Sequence, residues 1–243
     1  MDVRPDDPRD GTGVREGPAE IPTKRKGEVD MAASAEDVPV SADEALARLR
    51  EGNQRFLNGE MHSHDFRREM LADLATAQRP YATILGCSDS RVPPELLFDT
   101  GLGELFVVRV AGNLLSPETA GSLQYAGTYL RTPLFVVLGH EGCGAVAAAL
   151  ATTHQGAQFR SRVQRLLTRI APGLPEPDAR LSPEEQLSRA VEGNVRAMVR
   201  QIQNSPEGRE RAVEGRVKVI GAVYEIETGR VRFLSNSDQK DPQ

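Results

Sequence analysis

Apolar and polar positions change their rhythm twice along the chain. From Ser41 the pattern Ser41-Ala-Asp-Glu44 places a serine at a helix N-cap and a glutamate three residues on, the reciprocal capping box. Apolar residues then recur at Ala45, Leu46, Leu49, Phe56 and Leu57 with charges between them, which predicts an amphipathic helix. A second helix is expected over Phe66 to Ala77, ended by Pro80, because the residue ahead of a proline resists the helical region. Beyond it come short apolar runs, Tyr81–Gly86, Glu104–Arg109 and Pro133–Leu138, each predicting a buried strand. Helical stretches are expected at Pro93–Phe98, Pro117–Tyr129, Gly144–Thr152, Gln158–Ile170 and Pro183–Gln203. Val217–Tyr224 and Gly229–Leu234 read as a strand and its hairpin partner, with Thr228-Gly229 at the turn.

Strands apolar on both faces that alternate with helices predict an α/β fold, a mostly parallel β-sheet flanked by helices, with the C-terminal hairpin at the sheet edge. There is no internal repeat. Residues 1–38 depart from this pattern: they contain no aromatic residue, and the first thirty hold four prolines and four glycines. Such a segment buries too little apolar surface to offset its ordering entropy, so 1–38 is expected to be a disordered tail and 39–243 a single domain. Met31 is an alternative start that the sequence leaves open.

Composition narrows the function. The net charge is −5, with no basic block, which argues against a nucleic-acid binder. The apolar run Ala145–Ala151 is far short of the roughly 20 residues that span a bilayer, so no membrane partner is expected. Eight acidic residues among the first thirty, with no basic-then-apolar order, match neither a transit nor a secretory peptide, and two cysteines are too few for a disulfide-stapled scaffold. The expected compartment is cytoplasmic.

In open parallel sheets, chemistry gathers at the carboxyl ends of strands. Two segments there carry chemically capable residues: Gly86-Cys-Ser-Asp-Ser-Arg-Val-Pro-Pro94 and Gly139-His-Glu-Gly-Cys-Gly144. Cys87, Asp89, His140 and Cys143 are ligand types that zinc accepts, and four complete a tetrahedron. Two buried thiols or one disulfide would also account for the cysteines. Either leaves Asp89, Arg91 and His140 without a role, so metal explains more. His62-Ser-His64 lies on a polar loop and is expected to be solvated; His154 is expected at a helix C-terminus, and Arg160, Arg162, Arg165 and Arg169 on a solvated face.

Cys87-Ser-Asp-Ser-Arg91 followed by His140-Glu-Gly-Cys143 resembles the β-class carbonic anhydrases. The resemblance runs from about Ala45 to Leu234 and includes Phe106-Val-Val-Arg-Val-Ala-Gly-Asn113 and Gly221-Ala-Val-Tyr-Glu-Ile-Glu-Thr-Gly229. It implies a zinc-dependent, reversible hydration of carbon dioxide to bicarbonate and a proton, by attack of zinc-bound hydroxide. It implies Zn2+ on Cys87, His140 and Cys143, and an Asp89–Arg91 dyad. When Arg91 holds Asp89 away, the fourth position is open, the state expected near neutral pH; when Asp89 ligates zinc, the site is closed. Gln78, Phe106, Tyr125 and Gly144 correspond to substrate-binding positions, and a homodimer or higher homo-oligomer is implied, with active sites at the subunit interface. Glu141 receives no role. Part of the family binds a second bicarbonate through a Trp, an Arg and a Tyr; Arg109 and Tyr224 match two of these, but the Trp position is Ile84 and the chain has no Trp. The alternatives are hydrolysis of carbonyl sulfide or carbon disulfide, and a non-catalytic zinc or bicarbonate-binding regulator.

Overall fold

The computed structural model describes residues 40–62, 71–72, 74–215 and 217–235, all within one compact unit, Met31–Gln243. The tail expected over 1–38 lies outside the described residues, as does most of the helix expected over Phe66–Ala77. Of that helix, 71–72 and 74 are helical and a turn follows at 75–76.

Helix α1 (Ala42–Asn58) starts where the capping pattern places it, with the Ser41 hydroxyl accepting the Glu44 N–H. It ends at Gly59, whose left-handed φ of 71° lets its N–H reach back to the carbonyls of Arg55 and Phe56. Then follow β1 (Ala82–Gly86), the single-turn α2 (Pro94–Leu97), β2 (Leu105–Arg109), α3 (Pro117–Thr128), β3 (Leu134–His140), α4 (Gly144–Gln155) and α5 (Ser161–Ile170). The chain closes with α6 (Pro183–Asn204), α7 (Pro206–Glu214), β4 (Lys218–Tyr224) and β5 (Val231–Phe233). Helix α7 is absent from the pattern expected above: its sequence PEGRERAVE has no apolar stripe, and a new cap at Ser205 starts it. Helix α5 begins three residues later than expected.

The sheet order is β2-β1-β3-β4-β5, parallel except for the antiparallel pairing of β4 with β5. Both faces are covered. On one, Leu85, Val137 and Val223 meet Val146, Ile170, Val195 and Met198 from α4, α5 and α6. On the other, Ile84, Val136, Leu138 and Ala222 meet Leu49 of α1 with Leu97 and Phe98. Burying a side chain such as Leu49 or Phe98 contributes about 1.5–3 kcal/mol each. The register sets Gly86 between Arg109 and Leu138, so the segments after β1, β2 and β3 emerge together at the carboxyl edge.

Buried polar residues tie α1 to the rest. The Asn53 amide donates to the carbonyls of Leu97 and Gly229, and its oxygen accepts the Val231 N–H at 2.8 Å. Beside it, a methyl on Gly52 would overlap the Phe98 carbonyl. Gly52→Ala is therefore expected to lower stability by about 1–3 kcal/mol from overpacking, beyond what improved helix propensity returns. A urea midpoint equal to or above wild type would contradict this packing.

Asp99, at φ 46° with a fully buried side chain, accepts from Arg55 and from the His62 N–H at 3.0 Å, while His62 Nδ1 lies 2.9 Å away. His62, expected to be merely solvated, is thus partnered by a buried carboxylate. Burial pushes the Asp99 carboxyl up, but the Arg55 guanidinium and the His62 N–H outweigh it and hold it below the ordinary range. A depressed folded-state value stabilises the protein above the unfolded value near 4, and that contribution is lost as pH falls through the folded one. Asp99→Asn should be less stable than wild type by about 2 kcal/mol at pH 7, with the gap closing on acidification. Urea unfolding at pH 7 and across the acid range checks this; a gap independent of pH would refute it.

Candidate active site

Three consecutive facts of the fold assemble the site. Cys87 is the first residue past β1, His140 is the last residue of β3, and Cys143 is the N-cap of α4. Because β1 and β3 are adjacent and parallel, both loops leave the sheet at the same edge. The ligand atoms of Cys87, His140 and Cys143 lie within 4.8 Å of one another, and all three residues are buried. The two sulfurs are 4.0 Å apart and the cysteines are free. A disulfide needs about 2.05 Å. Two thiolates sharing a tetrahedral zinc at about 2.3 Å each would stand about 3.8 Å apart.

The histidine is aimed. His140 Nδ1 lies 2.9 Å from the Glu141 carbonyl, which can only accept, so Nδ1 carries the proton and Nε2 presents a lone pair. Nε2 is buried and, among the described residues, has no hydrogen-bond partner. An orphaned buried imidazole nitrogen beside two thiols is the arrangement a cation completes. The bond with Cys143 holds the Cys87 thiol well below its usual value against the burial that opposes it, with the Gly112 N–H helping. The same bond, with burial, pushes Cys143 up. A divalent metal bound here would stabilise both thiolates.

Asp89 stands at the rim. Arg91 grips it three ways: the backbone N–H at 3.0 Å and Nε at 2.9 Å on Oδ1, and Nη2 at 2.8 Å on Oδ2. These bonds hold the carboxyl far below the usual carboxylate range. Oδ2 is also 3.8 Å from His140 Nε2, so the carboxylate borders the donor set while bound to its arginine.

The substrate positions implied by resemblance fall less tightly. Phe106 of β2 and Tyr125 of α3 pack together, ring centroids 6.1 Å apart, and Tyr125 stacks on Tyr129 at 5.3 Å. Gly144 opens α4 beside Cys143, with open space where a Cβ would be. Gln78 is exposed on the segment leading into β1.

Four residues that reading the sequence did not assign to this site support it. Gly112, at φ 72°, donates its N–H to Cys87 Sγ at 3.4 Å, and its carbonyl accepts from buried Asn194 of α6 at 2.9 Å. Its conformation excludes a side chain, which would also meet Ile170 at 2.7 Å. The Glu141 carboxylate accepts the Ile226 N–H at 3.2 Å and its own N–H bonds the Tyr224 carbonyl, fixing the peptide that orients His140. Arg109, matched by resemblance to a bicarbonate-binding position, donates to the carbonyls of Cys87 at 2.9 Å and Asp89 at 2.6 Å. Besides the resemblance that takes in Arg109 and Gly112, a signal existed for Asn194, a polar residue inside the apolar stripe Val191, Val195, Met198.

A mostly parallel α/β sheet gathers a buried Cys–His–Cys donor set that could hold a metal ion, and a clamped carboxylate, at its carboxyl edge. The sequence profile described as "Carbonic anhydrase" matches residues 82–231. Carbonic anhydrase 2 of Mycobacterium tuberculosis is 39% identical over 196 residues, covering 79% of this chain and 91% of that one. A tetrameric β-carbonic anhydrase of Sordaria macrospora superposes with a TM-score of 0.62 at 29% identity, over 69% of this chain and 86% of that one. The Coccomyxa β-carbonic anhydrase bound to acetazolamide does so at 0.59 and 31% identity, over 67% and 75%. The chain belongs to the carbonic anhydrase family, in its β class.

Proposed function

We propose that this protein catalyses the reversible hydration of carbon dioxide to bicarbonate and a proton, using zinc held by Cys87, His140 and Cys143. The observation that carries the reading is the buried donor set with a free Nε2, bordered by an Asp89 already clamped by Arg91. Zinc, when bound, supplies Lewis-acid chemistry that brings the ionisation of water close to neutral pH. The chain's own residues do the rest. With both oxygens anchored, Asp89 stays ionised and acts as a fixed hydrogen-bond acceptor that orients the attacking water. Arg91 keeps it directed there, which supports an open site at neutral pH. Phe106 and Tyr125 offer an apolar wall suited to a small, uncharged substrate, and Gln78 and Gly144 stand as binding positions for the product.

We also propose a homodimer or higher homo-oligomer. Leu96, Leu102 and Tyr129 are each more than half exposed, and Tyr129 continues the Phe106–Tyr125 stack to the surface, as expected of a face covered in an assembly. Among the described residues no helix is long and apolar enough to cross a membrane. Cytoplasmic residence fits ligating sulfurs that must stay reduced.

Stopped-flow carbon dioxide hydration, with zinc measured on the same sample, tests the reading. Rapid turnover with one zinc per chain is expected. Full zinc without hydration would transfer the assignment to a carbonyl sulfide or carbon disulfide hydrolase, or to a binding protein.

A further inference from the structure

We infer that Arg109 is a positioning residue for this reaction: its guanidinium holds the backbone of Cys87–Asp89 so that the Asp89 carboxylate stays on Arg91 and off the Cys87–His140–Cys143 donor set. The inference rests on the zinc-enzyme reading above. The segment between Gly86 and Pro94 contains no helix or strand, yet carries Cys87, Asp89 and Arg91. Something outside it must set its position. Arg91 cannot, because it lies two residues from Asp89 in the same loop and moves with it. Arg109 can. It ends β2, whose register against β1 pairs it with Gly86, so its origin is fixed by the sheet. From there Nε donates to the Cys87 carbonyl at 2.9 Å and Nη2 to the Asp89 carbonyl at 2.6 Å.

The next residues continue the grip. Val110 N–H donates to the Gly86 carbonyl at 3.1 Å, and Gly112 N–H to Cys87 Sγ at 3.4 Å. Four donors from one strand end thus hold four acceptors of the loop, and the guanidinium reaches the one furthest from the sheet. The position matters because Asp89 Oδ2 has two competing destinations: Arg91 Nη2 at 2.8 Å, and the donor set, with His140 Nε2 only 3.8 Å away. A small loop shift decides between them. A planar fork reaches two carbonyls together; an ammonium group on a flexible stem does so poorly.

The test compares wild type, Arg109→Gln, Arg109→Lys and Arg109→Gln/Asp89→Asn as cobalt-exchanged proteins. Cobalt content and far-UV circular dichroism show that each is loaded and folded, and thiocyanate titration of the visible cobalt bands reads access to the fourth coordination position. Arg109→Gln should bind thiocyanate about tenfold or more weakly and turn over more slowly by a similar factor, since two charge-assisted bonds no longer restrain the loop. Arg109→Lys should fall between, and carries the test if Arg109→Gln does not fold. Adding Asp89→Asn should recover thiocyanate binding while turnover stays low, because the group that invades the position has been removed. Wild-type thiocyanate affinity in Arg109→Gln (or in Arg109→Lys, where it stands in) would overturn the inference. So would a double variant that binds no better than the single one. A wild-type chain that takes up no cobalt would instead overturn the zinc reading on which the inference rests.

Discussion

Cys143→Ser is expected to strip zinc from the protein and lower carbon dioxide hydration by about a thousandfold or more, while leaving the fold intact. The residue is 1% exposed at the N-cap of α4, and serine is close in size, so packing around Val146 and the β3–α4 junction should survive. Chemistry does not survive the change. A hydroxyl at neutral pH is a neutral, hard donor, whereas the ligand set needs a second soft anion beside Cys87, 4.0 Å away. Inductively coupled plasma analysis should find well under one zinc per chain in the variant, with an unchanged far-UV spectrum. Chelator treatment of wild type should reproduce the loss, and added zinc should restore it. One zinc per chain with wild-type turnover in Cys143→Ser would remove Cys143 from the ligand set.

Asp89→Asn separates metal binding from catalysis. Asp89 is not among the three buried ligand residues, and its carboxylate is satisfied by Arg91. The variant should therefore keep its zinc, yet lose turnover by about a hundredfold or more, because an amide presents one acceptor and a donor where the reaction needs a fixed anion. The Arg91 fork would also lose its bidentate partner. Zinc content and kcat measured on the same preparation distinguish the two effects. Loss of zinc would mean that Asp89 serves chiefly as a ligand; unchanged turnover would remove it from the mechanism. Either result would be informative about the loop, since Asp89 is held by Arg91 through its side chain and by Arg109 through its carbonyl.

Much of this architecture was legible in the chain because it depends on local pattern. Buried parallel strands read as short apolar runs, and the runs at Tyr81–Gly86, Glu104–Arg109 and Pro133–Leu138 stand out against the amphipathic segments between them. The start of α1 was legible because Ser41 announces it as a capping residue. Helix α7 was not, since it presents no apolar stripe and is defined by Ser205 and by its junction with α6. Cys87, Asp89, Arg91, His140 and Cys143 could be grouped in advance because residues just past a strand's carboxyl end emerge at one edge of a parallel sheet, and because their spacing resembles a known family.

The supporting groups obey a different logic. Gly112, Glu141 and Arg109 act through a backbone N–H, a peptide orientation and a reach of one side chain onto two carbonyls, none of which leaves a mark on residue order. Sequence alone determined the order of the strands and of the helices other than α7, the chemical types brought to the sheet edge, and the candidate metal donors, because secondary structure and ligand chemistry are written largely in residue identity and short-range spacing. The tertiary structure decided that Asp89 rests on Arg91 beside the donor set, that His140 presents Nε2, and that Arg109 holds the loop between them. Those outcomes turn on distances of a few ångströms between strands far apart in the chain, and such distances exist only once the sheet has paired.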